Sequence, residues 1–208
     1  MRRACKLGVA ALLVAAAMPA LGQPAFGEGP VPQFDGARLG MSLSQWKALS
    51  PPQGSTADVA TACSNDAAPD ATSRASFDAS GSGPQVVVCF YVARIGRYAL
   101  AQDFPLTKTY LARSPKFTFV SGRLARIEFK SSINAFDDLV ALFEARFGPA
   151  SQTVRDQIRT PFGLTLPRVQ NIWRRPDGLV RITDPSDSLD QLAVDFTGSG
   201  EARPAQTG

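Results

Sequence analysis

Three stretches in the second half of the chain alternate apolar and polar side chains with a period of two, and this alternation constrains the fold more than any other feature. Ala125, Ile127 and Phe129 are interleaved with Arg126, Glu128 and Lys130; Val180 and Ile182 enclose Arg181; Leu192, Val194 and Phe196 alternate with Ala193 and Asp195. Successive side chains of a strand point to opposite faces, so each stretch is a strand with one buried and one wet face. Residues 116–120 and 124–130 form the clearest hairpin, joined by Ser121-Gly122-Arg123. Pro176-Asp177-Gly178 turns a second hairpin between strands at 168–174 and 179–183. Further strands are expected at 86–92, which is apolar on both faces, at 152–158 and 191–196, and more weakly at 98–106.

Two helices are signalled in the body of the chain. Ser42, with Gln45 three positions on, makes a capping box; Leu43, Trp46 and Leu49 share a face, and Pro51-Pro52 ends the run. Trp46 reads as a core anchor. The longer helix is capped by Asn134, carries Asp137 and Asp138 at its positive end, and stops at Gly148-Pro149. Its stripe of Phe136, Leu139, Val140, Phe143 and Phe147 is core packing. The order of elements predicts an α+β fold over residues 34–197: two helix-plus-antiparallel-meander halves that could share one continuous sheet, with a long disulfide-stapled loop at 51–85. No strand–helix–strand alternation supports a parallel nucleotide-binding sheet.

The N-terminus is expected to be removed. Arg2, Arg3 and Lys6 form a basic start, an apolar run follows from Leu7 to Met18, and Ala20-Leu21-Gly22 offers small residues for cleavage. The run is too short for a membrane span and fits a signal peptide at 1–22. Gln23 stands where a lipoprotein needs Cys, so no lipid anchor is expected, and residues 23–33 read as a flexible leader. The mature chain is therefore expected to be periplasmic or secreted. Losing Arg2, Arg3 and Lys6 takes 22 basic residues to 19, against 18 acidic ones. That near-neutral charge gives no support for nucleic-acid binding. Residues 198–208 read as a disordered tail. Cys63 and Cys89 are the pair left in the mature chain, and in an exported protein they are expected to form a disulfide.

The chain contains no histidine. Ser-His-Asp and Cys-His catalysis and His-based zinc sites are thereby excluded, and two cysteines do not make a thiolate metal site. No catalytic residue, cofactor or metal ligand is assigned. Asp184, Asp187 and Asp190 recur every third residue, whereas a calcium loop wants alternate positions and a distal Glu. They read as a solvated turn. Ser114-Pro-Lys116 lacks serine-lysine hydrolase spacing.

The segment RLGMSLSQWKAL at 38–49 resembles the opening helix of small envelope proteins of the SmpA/OmlA type, and FVSGRLARIEF at 119–129 resembles their hairpin. Two helix-plus-meander halves are similar to the tandem layout of the β-lactamase-inhibitory-protein fold. The resemblance implies a periplasmic domain that contacts another protein through its sheet face and loops. Gln23 departs from the lipid-anchored members.

The candidate partner-contact patch is Trp173, Arg174, Arg175 and Arg181, an aromatic with several guanidinium groups on one hairpin. The competing reading makes Trp173 core and lets the arginines snorkel, with Glu128 and Asp195 balancing them internally. The function expected is an exported, non-enzymatic protein-interaction module of the cell envelope: an inhibitor, chaperone or assembly accessory. The alternatives are a periplasmic small-ligand binder and a carboxylate-dependent hydrolase.

Overall fold

The computed structural model describes residues 33–52, 59–67, 77, 84–95, 98–160 and 162–199. The expected signal peptide, the leader up to 32, the tail from 200 and much of the loop at 51–85 lie outside the described residues. Gln33, expected in the leader, opens β1, and Gly198, expected in the tail, closes the last strand.

The chain is mostly β, with 55% strand against 15% helix. This corrects the expected α+β fold of two helix-plus-meander halves. A small hairpin of β1 (Gln33–Phe34) and β2 (Ala37–Arg38) precedes a five-residue helix, α1 (Leu43–Lys47). Then follow β3 (Val59–Cys63), β4 (Val86–Ile95), β5 (Tyr98–Ala101), β6 (Phe104–Pro105), β7 (Leu111–Val120) and β8 (Arg123–Ser132). After α2 (Phe136–Phe147) come β9 (Gln152–Arg159), β10 (Thr165–Arg175), β11 (Gly178–Asp184) and β12 (Gln191–Gly198). One ten-stranded antiparallel sheet runs β3-β4-β7-β8-β12-β11-β10-β9, with β5 beside β4 and β6 beside β7.

The physical reason for the correction is local. The capping box of α1 is present, with the Gln45 amide donating to Ser42 Oγ at 3.2 Å and the Ser42 amide to Gln45 Oε1 at 2.9 Å. A cap fixes where a helix starts and not how far it runs. β3 lies inside the segment expected to be loop, because Val-Ala-Thr-Ala-Cys has no alternation and becomes a strand only by pairing with β4. β7 starts at Leu111, earlier than expected. Ser114 at φ 44° and a register shift between Arg113 and Lys116 interrupt the pattern that would have marked it. The start of α2 also differs: Ser132, not Asn134, accepts the capping bond of a short 3-10 turn, and Ala135 precedes α2 without a side-chain cap.

The core lies on one face of the sheet. Trp46 is fully buried, its ring centroid 4.9 Å from Phe117, 5.0 Å from Tyr91 and 5.7 Å from Phe119. Ile127, Phe129, Val180, Ile182, Val194 and Phe196 extend this layer, and α2 covers it with Leu139 and Phe143. Phe143 meets Trp173 edge-on at 5.6 Å and Phe196 at 5.8 Å. The other face of β4 carries a smaller cluster of Val88, Phe90 and Val92 under Phe77, so β4 is apolar on both sides. Ser121 and Gly122, both at positive φ, form the two-residue turn of the β7–β8 hairpin. That turn docks on α1's approach: the Leu43 amide donates to the Gly122 carbonyl at 3.2 Å, and Gly40 and Met41 exchange bonds with Leu124 at 2.7 and 2.8 Å. No helix among the described residues is long and apolar enough to cross a membrane.

Cys63 and Cys89 are disulfide-bonded, directly opposite each other on β3 and β4. Closing a loop of 26 residues removes conformational entropy from the unfolded chain worth about 3–4 kcal/mol. The Cys63→Ser/Cys89→Ser variant is expected to lose about that much in urea unfolding. Equal stability of the two proteins would show that β3 holds its place by backbone pairing alone.

Asp35 sits in the β1–β2 turn near Tyr91, and burial pushes its carboxyl up to about 6. A raised folded-state value means the folded chain holds the proton more tightly. Stability from this group is therefore greatest below the ordinary carboxylate range and is lost as pH rises toward 6. Asp35→Asn is expected to stabilise the protein at pH 7 and to leave it unchanged near pH 3. Thermal melts across that range, compared pairwise, measure the difference; a constant offset at all pH values would refute the assignment.

Candidate functional site

The alternation that builds the core aims the remaining side chains at the opposite face. There the strands line a channel of about 690 Å³. Its floor follows from the register: Lys116 of β7 faces Glu128 of β8, Glu128 faces Asp195 of β12, and Asp195 faces Arg181 of β11. One step along, Lys130 faces Ala193 and Ala193 faces Thr183. Six cationic and four anionic side chains line the channel.

Most of these charges are fixed by one another. Arg126 grips Asp195 with two parallel bonds, Nε to Oδ1 at 2.9 Å and Nη2 to Oδ2 at 2.7 Å. The same Nη2 lies 3.1 Å from Glu128 Oε1, and Lys116 Nζ is 2.7 Å from Glu128 Oε2. The Thr197 hydroxyl adds a bond to Asp195 Oδ1 at 3.0 Å. This arrangement follows from placing Glu128 and Asp195 directly opposite, since like charges at that spacing repel unless a cation bridges them. Lys130 pairs with Asp187 at 3.0 Å and holds its carboxyl below the usual range. Arg168 Nε donates to Asp156 Oδ1 at 2.8 Å, which likewise lowers Asp156.

Two lining cations make no ion pair among the described residues, Arg113 and Arg181. Arg113 is exposed. Arg181 is half-buried, and its Nε has no hydrogen-bond partner there, although Asp195 lies in register beside it. Arg126 has already taken both oxygens of that carboxylate.

The four residues of the expected patch are divided between the two faces. Trp173 is buried beneath α2, with its Nε1 donating to the Gly148 carbonyl at 2.9 Å. Arg175 shares its face, stacked 5.3 Å over the Phe147 ring and 3.9 Å from Asp177. Arg174 and Arg181 are on the opposite face. Arg174 is exposed, pairs with Leu179 in the ladder and reaches Gln152 at 3.4 Å, outside the channel. Arg181 alone of the four lines the channel, opposite Ile172 and not opposite another arginine. Glu128 and Asp195 do provide internal balance, but to Arg126 and Lys116.

Sequence reasoning named Arg126, Glu128 and Lys130 only as a wet face, and missed Lys116 and Arg168 as their neighbours. The signal was present in the alternation; what was absent was the strand order that sets β8 beside β12. In the 184–190 turn Asp187 goes to Lys130, while Asp184 is raised by burial and by Asp137. Among the described residues no group of acids is arranged to hold a metal ion.

Removing the Arg126 fork leaves Asp195, with only 15% of its side chain exposed, without a cation and beside Glu128, which keeps Lys116 alone. Arg126→Ala is expected to cost about 1–3 kcal/mol in urea unfolding. Adding Asp195→Asn to that variant recovers part of the loss, because it removes the repulsion. A double-mutant cycle reads the coupling, and strictly additive effects would contradict it.

Comparison with protein-family models, with curated proteins and with solved structures finds no match to this chain, so the reading of the site rests on its own residues.

Proposed function

We propose that the mature chain is an exported, non-enzymatic protein-interaction module of the cell envelope, an inhibitor, chaperone or assembly accessory that receives its partner in the charged channel. The observation that carries this reading is the channel floor: charges of both signs, held in fixed positions by ion pairs across three neighbouring strands, β7, β8 and β12. A patterned polar surface of this kind confers specificity for another patterned polar surface. The segments whose residues resemble the SmpA/OmlA type, 38–49 and 119–129, are hydrogen-bonded to each other through Leu43 and Gly122, which supports reading them as one unit.

The other two readings find less support. Small-ligand sites are mostly apolar, and the space between sheet and α2 is filled by Leu139, Phe143 and Trp173. A hydrolase needs two carboxyls facing across a cleft. Glu128 and Asp195 instead lie side by side on paired strands, both engaged by Arg126.

The test is capture from envelope extract with the mature protein as bait. A specific protein should be retained by the wild type and by Arg174→Ser, which lies outside the channel. It should be lost from Arg113→Glu/Lys116→Gln, with circular dichroism showing that this bait is still folded. Equal capture by all three baits, or none by any, would overturn the proposal.

A further inference from the structure

Within the channel, the position above Ala193 is unlike the rest of the floor. Ala193 on β12 has Lys130 directly across it on β8 and Thr183 directly across it on β11. Its own side chain is one methyl group, so the floor dips between two longer neighbours. Arg181, two residues from Thr183, projects on the same sheet face, and Arg168 lines the same channel from β10. An ammonium, a hydroxyl and two guanidinium groups thus line the same channel as a floor position that carries only a methyl group.

The electrostatics of the gap are unfinished. Lys130 and Arg168 have carboxylate partners: Asp187 lines the channel with 82% of its side chain exposed, and Asp156 is on β9, outside the channel lining. Arg181 has none, and its Nε donor is buried without an acceptor among the described residues. An orphaned buried donor on a charged group costs free energy unless a ligand satisfies it. A guanidinium fork matches a carboxylate with two parallel bonds.

We propose that the gap above Ala193 is the seat for one acidic side chain of a protein partner, its carboxylate accepting from Arg181 and from Lys130. The inference rests on the channel being the partner site and names the chemistry that site selects. A polyanion fits poorly, because the channel displays Glu128, Asp195 and Asp187 within the same face. A partner strand that alternates acidic and basic residues fits both signs: its carboxylate goes to the gap and its cations go to the flanking acids.

The experiment uses a fluorescent synthetic peptide of alternating Glu and Lys, with the same peptide carrying Gln for Glu as control, and anisotropy with the mature protein. The Glu peptide should bind in a salt-sensitive manner, and the Gln peptide about tenfold or more weakly. Arg181→Gln should weaken the Glu peptide by about tenfold. Ala193→Leu, which fills the gap and keeps every cation, should do the same, and Arg174→Ser should not change it. Equal binding of the two peptides, or binding indifferent to both Arg181→Gln and Ala193→Leu, overturns the inference. So does a titration in which inorganic phosphate shifts the amide resonances of Thr183 and Ala193 while the Glu peptide does not. The two proposals fail separately. If Arg113→Glu/Lys116→Gln loses its captured protein but the Glu peptide does not bind, the interaction module stands and the acidic seat falls. If the peptide behaves as expected while capture ignores the channel, the seat stands and the capture reading falls.

Discussion

The pairing of β8 with β12 is the constraint on which the rest of the structure depends. In one register it sets Ile127 against Phe196 and Phe129 against Val194 on the core face, and Glu128 against Asp195 on the other. The core contacts cannot be had without the acidic ones, because a slip of one residue would move every side chain to the wrong face. Hydrophobic burial outweighs the repulsion, at roughly 1.5–3 kcal/mol for each large side chain, so it dictates the register. The acidic pair is the consequence that the sequence then has to manage. Arg126 manages it from within the same strand, and Lys116 does so from β7.

The same logic accounts for how an open sheet of ten strands ends. Its outer strands are β3 and β9. An outer strand leaves backbone groups unpaired and invites association with other chains. β3 is five residues long and tied by its last residue, Cys63, to Cys89. β9 is longer, and its exposed positions carry Arg155, Gln157 and Arg159, charged and polar groups that oppose pairing with another apolar edge. β3 is apolar but short and tethered, and β9 is long but polar. The face between them is left as the surface with most chemical detail.

How much of this could be read from the chain differs element by element. The β7–β8 and β10–β11 hairpins were legible because turn residues and alternation agree there, and Ser121-Gly122 and Pro176-Asp177 occupy the turns. The disulfide was legible from cysteine count alone. The class was not. α1 announces its start at Ser42 but stays five residues long, and β3 has no pattern of its own, so local signals overstated helix and understated strand. The channel was half legible. Period two shows that Arg126, Glu128 and Lys130 share a face, but only strand order shows that Asp195 and Arg181 continue it. Trp173, Arg174 and Arg175 are adjacent in sequence, and adjacency in a strand means opposite faces. For that reason a patch drawn from consecutive residues was divided by the sheet, and Arg181 was its one member aimed into the channel.

The absence of histidine bears on recognition as well as on catalysis. Histidine is the side chain whose ordinary range puts its charge change between pH 5 and 8, and none is present to change the sign pattern of the channel. Asp35 is pushed up into that interval, but it lies in the β1–β2 turn beside Tyr91, which belongs to the core cluster on the other face. The channel acids Asp187 and, at its margin, Asp156 move the other way, held down by Lys130 and Arg168. Titration of Asp35 near neutrality therefore acts on the stability of the fold, on the face away from the channel. Salt, in contrast, reaches the channel directly, since its charges face water and are screened over about 8–10 Å at ordinary ionic strength. On the reading proposed above, a partner held in the channel by its charges is therefore released by ionic strength and not by a change of pH at Asp35.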